Sequence, residues 1–252
     1  YRLFATEFED ADLEHSESDE ERAPNYVVTP TGGRVNRLFV VGVLTEVEPV
    51  SDDVLRGRVV DPTGAFVLYA GQYQPDERAV LDRTEPPAFV AVTGKARTFQ
   101  PEDGDRVFTS VRPESISEVD ADTRDRWTVA AAEQTLHRVE AMATALALGA
   151  TGDRLRDALV ERGYDEGLAA GIDLAIQHYG TTPTYLAAIR DLAVDAARHV
   201  AGELDEVPAL TADPDEPGDR TAADLLEAPV EPLGDAAEPG DVEPTTDASE
   251  PA

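Results

Sequence analysis

The sequence has no cysteine and only one lysine, Lys95, among its 21 basic residues. Without cysteine there can be no disulfide, no thiolate zinc site and no cysteine nucleophile. No apolar run approaches the roughly 20 residues that a membrane-spanning helix needs. The acidic opening is also unlike a signal peptide, so we expect a soluble protein of the cytoplasm.

Signals of catalysis are equally weak. The four histidines, His15, His137, His178 and His199, show no metal-binding spacing such as HExxH. The stretch GLAAGID at 167–173 lacks the preceding strand and the lysine of a phosphate-binding loop. Pairs of carboxylates carry no information in a chain this acidic. We therefore predict a non-enzymatic protein with no catalytic residue, no metal site and no cofactor, and keep an uncharacterised hydrolase as a remote alternative.

Acidic residues dominate the charge, with 52 Asp and Glu giving a net charge of −31. Such a balance ordinarily argues against a nucleic-acid partner. Two explanations compete: adaptation to molar salt, or a task specific to this protein, such as mimicking or repelling DNA. The scarcity of lysine and of aromatic residues favours salt adaptation, because a DNA mimic has no reason to avoid lysine. At about 1 M salt the screening length is roughly 3 Å, so the acidity does not exclude DNA binding.

The composition and the residue patterns of the sequence divide the chain into parts. Residues 1–34 are rich in acids, and we predict an acidic N-terminal arm there. Residues 35–118 contain short β-branched runs bounded by turn residues, with a short helix predicted between the third and fourth runs. The candidate strands are 35–47, 54–61, 65–73, 88–99 and 107–117. This outline predicts a five-stranded barrel of the oligonucleotide-binding (OB) type.

Helical periodicity begins after Asp120, and the candidate helices are 123–148, 153–162, 166–179 and 183–201. The last part, 202–252, holds eight prolines and sixteen acids. Such a segment cannot bury enough apolar surface to offset its chain entropy. We therefore predict an α+β chain: an OB barrel at 35–118, a helical region at 119–201 and a disordered acidic, Pro-rich tail at 202–252, with one possible helical turn at Thr221 to Leu226.

The strand at 88–99 carries the clearest candidate binding residues. Period-two alternation places Lys95, Arg97 and Phe99 on one face and small or aliphatic residues on the other. Cations can bind phosphates, and an exposed ring can stack on a base for about 1–3 kcal/mol. This combination favours a single-stranded nucleic-acid ligand. The ordinary alternative is that Phe99 packs at the barrel rim and that the cations pair with neighbouring acids.

Two more strands add candidates of the same kind. The strand at 65–73 alternates so that Tyr69 and Tyr73 lie opposite its predicted core residues. Arg56 and Arg58 share one face of the second strand. These four residues complete the predicted DNA-binding set, and each has the same ordinary alternative of rim packing or pairing with an acid.

A family resemblance adds to this interpretation. The stretch FVAVTGKARTFQ at 89–100 resembles the fourth strand and following loop of the middle subunit of replication protein A, and Gln72-Tyr73 lies where that family has Gln-Trp. The family's two aromatics stack on DNA bases, so the resemblance implies this role for Tyr73 and Phe99. Residues 1–145 more closely resemble the haloarchaeal proteins associated with replication protein A. The matching stretches are RLFATEFEDA, ESDEERAPNYVVTPTG, NRLFVVGVLTEV, VVDPTGAFVLYAGQYQP and DTRDRW.

The resemblance implies a single-stranded DNA-binding subunit or accessory protein of an archaeal replication protein A complex. Its expected partners are single-stranded DNA and the large subunit or a paralogue, with a nucleoid-associated location and no membrane. It also implies that the helix after the barrel joins a bundle of subunits, which makes Val129, Leu136, Val139 and Leu146 a predicted partner interface. Alternatively, this stripe packs on the chain's own later helices, or the whole protein is an adaptor whose barrel binds a protein rather than DNA.

Overall fold

The computed structural model describes residues 1–18, 23–102 and 104–226. Its strands are β1 (Leu13–Ser16), β2 (Asn25–Val28), β3 (Arg34–Val35), β4 (Arg37–Ser51), β5 (Val54–Val60), β6 (Ala65–Ala70), β7 (Ala88–Phe99) and β8 (Phe108–Glu118). Its helices are α1 (Ala5–Glu9), α2 (Pro75–Arg83), α3 (Ala121–Leu148), α4 (Gly152–Glu161), α5 (Glu166–Tyr179) and α6 (Pro183–Val200), with a short 3₁₀ helix at Ala222–Leu225.

Strands β4 to β8 form a closed barrel in the order β4-β5-β6-β8-β7. All neighbours are antiparallel except β6 and β8, which pair in parallel, and α2 connects β6 to β7. The inward side chains of each strand are buried and alternate with outward ones, as half-buried strands require. The predicted α+β fold, a five-stranded OB-type barrel followed by helices, is confirmed.

A glycine lets β7 and β8 approach closely. A Cβ atom on Gly94 would lie 2.5 Å from Cγ1 of Val111 and 2.6 Å from the backbone oxygen of Arg112. A side chain at position 94 would force the two strands apart, so glycine permits their close approach. Just beyond it, the outward residues Lys95 and Arg112 face each other across the ladder.

Helix α3 begins beside the barrel and ends in the helical region. The Asp120 side chain caps it by accepting from the backbone N–H of Thr123, and Gly149 ends it with a φ of 62°. Near its start, Trp127 donates from its ring N–H to the Phe39 carbonyl oxygen at 2.8 Å. Helices α4 to α6 pack around its second half. Within the described ranges, no helix is both long and apolar enough to cross a membrane.

The described residues of 1–34 differ from the predicted acidic arm, because they pack on the rest of the chain. Leu3, Phe4 and Phe8 are buried, and the Phe8 ring lies 5.8 Å from the ring of Phe66 inside the barrel core. Strands β1 to β3 form a small antiparallel sheet. The acids at 9–24 give this part of the sequence a solvated character, but burial of the apolar residues on either side of them outweighs the local charge.

A buried ion pair fixes this N-terminal segment to α3. Both Glu7 and Arg138 are almost completely buried, and Nη2 of Arg138 lies 2.5 Å from Oε2 of Glu7. The guanidinium also donates to the Thr31 hydroxyl oxygen at 3.1 Å and to the Arg2 carbonyl oxygen at 3.1 Å. The pair is therefore compensated by further hydrogen bonds, as a buried charge requires.

The predicted disordered tail also differs in its first part. Residues 202–226 follow α6 back along the helices: Val207 is buried, and Leu210, Leu225 and Leu226 pack against the core. The backbone N–H of Thr182 donates to the Pro214 carbonyl oxygen at 3.0 Å. A few spaced apolar residues thus suffice to hold an acidic, Pro-rich segment. The predicted helical turn at Thr221 to Leu226 is present as the 3₁₀ helix, and the tail from 227 onward lies outside the described residues.

Candidate nucleic-acid interface

A groove of about 770 Å³ runs across the outside of the barrel. Its walls come from the end of β4, from β5 and β6, and from the facing ends of β7 and β8 with the loop between them. Apolar and aromatic side chains dominate its surface. The lining residues are Glu48, Val50, Arg56, Val67, Tyr69, Phe99, Pro101, Phe108, Thr109 and Ser110.

Three exposed aromatic rings meet at this groove. Phe99 is 64% exposed, Phe108 46% and Tyr69 40%. Phe99 and Phe108 are directly paired across the β7–β8 ladder, which places both on the outer face. The Arg106 guanidinium lies over the Phe108 ring, 5.1 Å from its centroid. The groove therefore offers flat apolar surfaces to a ligand, with a cation stacked on one of them.

A row of cations continues from the aromatic pair along the same face. The next outward pairs on β7 and β8 are Arg97 with Ser110 and Lys95 with Arg112. On its other side, Lys95 is paired with Arg37 of β4. We call Arg37, Lys95, Arg97 and Arg112 the basic strip. It brings four cations together on a chain whose net charge is −31.

Burial and neighbouring charges shift the pKa of groups in and beside the basic strip. The pKa of Arg97 is lowered, first by burial and then by repulsion from Arg112. The pKa of Glu114 is lowered because it accepts hydrogen bonds from Arg37 and lies near Lys95 and Arg112. Like charges placed opposite each other on a sheet destabilise it. An anion bound along the strip would relieve this repulsion.

The other predicted arginines lie on the β5 side of the barrel. Arg56 lines the groove and forms an ion pair with Glu48, with Nη1 and Oε2 3.1 Å apart. Arg58 lies one outward position further along β5, and its Nη1 is 3.4 Å from the Thr45 hydroxyl oxygen. Arg58 is not among the residues that line the groove. Arg56 is thus the cation of the groove lining, whereas the basic strip of β4, β7 and β8 lies beside the groove.

Tyr73 occupies a different place from the one the sequence suggested. Strand β6 ends at Ala70, so Tyr73 lies in the turn before α2, where it is 82% exposed. It does not line the groove, whereas Tyr69 of the same predicted strand does. The structure therefore groups Phe99 with Tyr69 and with Phe108, which the sequence reasoning missed. The alternation of β8, counted outward from the buried Val111, was the signal that could have found Phe108.

The predicted partner interface on α3 is mostly covered by the chain itself. Val139 is only 2% exposed and belongs to the core formed with α4 to α6. Leu136 and Leu146 are half-buried against that core or the barrel core. This corrects the prediction for Val139, because helix α6 occupies the face it was expected to offer. Val129 alone is clearly exposed, at 40%.

The described part of the chain contains no group of three or more His, Asp or Glu side chains placed to hold a metal ion. The acid-rich hollow between α1, α5 and the β7–β8 loop has a volume of about 440 Å³ and includes Asp10, Asp12 and His178. Asp12 forms a hydrogen bond with His178 at 2.8 Å, and Tyr185 donates to Asp10 at 2.8 Å. These groups serve contacts between the N-terminal segment and the helices.

Neither protein-family models nor the curated proteins give a match to this chain. Among solved structures, it is similar to a replication protein A heterotrimer bound to single-stranded DNA, at 14% identity over 54% of this chain and 95% of that one, with a TM-score of 0.39. It is also similar to the mitochondrial single-stranded DNA-binding protein Rim1 from S. cerevisiae, at 18% identity over 34% and 95%, with a TM-score of 0.28. An OBody bound to hen egg-white lysozyme matches at 15% identity over 33% and 93%, with a TM-score of 0.29. At this level of similarity, the comparisons carry no argument about function.

Proposed function

We propose that this protein binds single-stranded DNA through the groove and the basic strip. One observation carries the proposal: the outer face of β7 and β8 presents three pairs in succession, Phe99 with Phe108, Arg97 with Ser110, and Lys95 with Arg112. Stacking rings followed by cations match the bases and the phosphates of a single strand. In a duplex the bases are already stacked on each other, so exposed rings favour an unpaired strand.

The charge of the whole chain is compatible with this function. The basic strip brings four cations together, of which Arg37 is paired with Glu114, and short-range contacts decide binding once salt screens the long-range field. Tyr69 and Arg56 extend the groove on the β5 and β6 side. Tyr73 remains a proposed contact for a strand that continues beyond the groove, because its ring is open to solvent.

We further propose that the protein acts as a subunit or accessory protein of an archaeal replication protein A complex, in DNA replication and repair. The sequence stretches that resemble the haloarchaeal proteins associated with replication protein A support this assignment. Its partner would be the large subunit or a paralogue. The acidic, lysine-poor composition fits a cytoplasm at molar salt, and the protein would associate with the nucleoid.

Fluorescence anisotropy with a labelled oligo(dT) in about 1 M KCl tests the DNA-binding proposal. We expect the double variant Phe99→Ala/Phe108→Ala to weaken binding by at least tenfold, since each stacked base contributes about 1–3 kcal/mol. The matched control is Val129→Ala/Val160→Ala, which removes two exposed apolar side chains from helices. Absence of binding by the wild-type chain, alone and in its native complex, would overturn the proposal.

The second candidate function is a protein-interaction adaptor. It is favoured by the ion pairs Arg37–Glu114 and Arg56–Glu48, which occupy two of the cations near the groove. For an adaptor, the double variant would leave the DNA affinity of the native complex unchanged. For a DNA-binding subunit, it would lower that affinity.

A further inference from the structure

Three arginines at the edges of the proposed DNA-binding face are occupied by carboxylates of the same chain. Arg37 donates to both oxygens of Glu114, at 2.6 and 3.1 Å. Arg56 lies 3.1 Å from Glu48, and Arg106 lies 2.8 Å from Glu9. The three carboxylates come from three separate elements, β8, β4 and α1. The edge of the face is thus neutralised from several directions.

The central cations differ from these edge arginines. Across residues 1–18, 23–102 and 104–226, Lys95, Arg97 and Arg112 form no ion pair within 4.0 Å. The face therefore has an unpaired basic centre with paired arginines around it. Only the edge cations would have to give up a carboxylate before they could bind a phosphate.

This exchange has a definite energetic consequence. A guanidinium binds a carboxylate and a phosphate through the same planar fork, so the two anions compete for one position. Exposed ion pairs contribute little, so they can be separated at small cost. When DNA binds a free cation, counterions leave the DNA, and the affinity therefore falls with salt. When DNA displaces a carboxylate, that carboxylate takes up a cation from solution, and the net release of ions is smaller.

We propose that Glu9, Glu48 and Glu114 act as built-in competitors of phosphate at Arg106, Arg56 and Arg37, and so flatten the salt dependence of DNA binding. The inference rests on the proposed function and concerns the regulation of that same face. Raising the salt weakens the attraction of the phosphates, but it weakens the competing carboxylates as well. Binding then changes little over a range of salt in which an unprotected basic face would lose most of its affinity.

The test measures DNA affinity against salt for the triple variant Glu9→Gln/Glu48→Gln/Glu114→Gln. Glutamine keeps the size of each side chain but removes the charge that competes with phosphate. Anisotropy titrations with labelled oligo(dT) would run from about 0.3 to 3 M KCl, with circular dichroism at each salt to check folding. We expect the plot of log affinity against log salt to steepen by about 2, since each single-strand phosphate contact contributes about 0.7. Over this tenfold range of salt, the change of slope raises the affinity of the triple variant relative to the wild type by about a hundredfold between the high-salt and the low-salt end.

The matched control removes three exposed carboxylates elsewhere, Glu133→Gln/Glu161→Gln/Glu203→Gln, and changes the net charge equally. A wild-type slope in the control together with a steeper slope in the triple variant supports the inference. Binding by all three proteins with one common slope overturns it but leaves the proposed function standing. An equal change in the control also overturns it, because the effect would then be one of net charge. If no protein binds the oligonucleotide, the proposed function fails, and the inference fails with it.

Discussion

The sequence predicted two binding surfaces, one on the barrel and one on α3. In the structure the first is exposed to solvent and the second is largely covered. The aromatic residues of β7 and β8 remain exposed, Phe99 by 64%, and the cations beside them are half-buried. The apolar stripe of α3 is largely covered by the chain's own helices, and Val139 is 2% exposed. Both patterns look alike in a sequence, since each is a periodic row of one residue class. What separates them is whether a later part of the same chain packs on the row.

The comparison predicts that substitutions on the covered side change stability, whereas substitutions on the open face change binding. The largest expected effect on the covered side concerns the buried pair of Glu7 and Arg138. We expect Glu7→Gln to lower the free energy of unfolding by about 3–5 kcal/mol, because it leaves the guanidinium buried without its counter-charge. Urea denaturation measures this loss.

Glu133→Gln is the matched control for this prediction, because Glu133 is exposed on the same helix, α3. We expect it to change the unfolding free energy by less than about 0.5 kcal/mol. DNA affinity, measured on the folded fraction, should be unchanged in both variants. A Glu7 variant as stable as the wild type would contradict the account of the N-terminal segment.

Within the α3 stripe itself, burial predicts a smaller but contrasting pair of effects. Val139→Ala removes two buried carbon atoms from the core. We expect it to lower the free energy of unfolding by about 2 kcal/mol, through the lost transfer free energy and the cavity left behind. Val129→Ala, at an exposed position of the same stripe, should cost less than about 0.5 kcal/mol. Thermal unfolding of the two variants side by side measures the difference. Equal losses at both positions would show that α6 does not cover the stripe as described.

The smallest expected effect is on the pH dependence of stability. Burial raises the pKa of Asp10 to about 6, although the Tyr185 hydroxyl donates to it. Since this lies above the ordinary value of 3.8, the folded protein binds a proton more readily than the unfolded chain. The contribution of this proton to stability is fully present when the pH is below 3.8, the ordinary pKa of the group, and it is lost as the pH rises through about 6.

Asp10→Asn should remove this contribution. We therefore expect the wild type to lose stability relative to the variant between about pH 4 and pH 7, as measured by melting temperatures at each pH. Asp53→Asn, on an exposed carboxylate of the β4–β5 turn, is the control. A difference between wild type and Asp10→Asn that stays constant with pH would contradict the assigned burial of Asp10.

Local periodicity predicted most of the barrel and the helices. Strand β7 was expected at 88–99 and spans Ala88–Phe99, and α5 was expected at 166–179 and spans Glu166–Tyr179. Such elements are visible because alternation and helical repeats are properties of neighbouring residues. The end of β6 was misplaced, since the turn at Gly71 to Tyr73 continues an alternating pattern after the ladder has ended.

The N-terminal segment could not be predicted in the same way. Its burial depends on residues far along the chain: Glu7 pairs with Arg138, and Phe4 packs edge-on against Trp127. No local pattern in the sequence shows that an acidic residue will be buried. Asp and Glu are mostly exposed unless they are paired, and the pairing partner here lies far along the chain. The same limit applies to the candidate groove, where pairing of β7 with β8 brings Phe108 to Phe99.

Photo-cross-linking tests the central claim most directly. An oligonucleotide carrying iododeoxyuridine would be irradiated in complex with the protein, and the linked peptides identified by mass spectrometry. The account predicts links at Phe99, Phe108 and Tyr69 on the outer face of the barrel. A bound oligonucleotide that links only to the helices between residues 152 and 200 would contradict it.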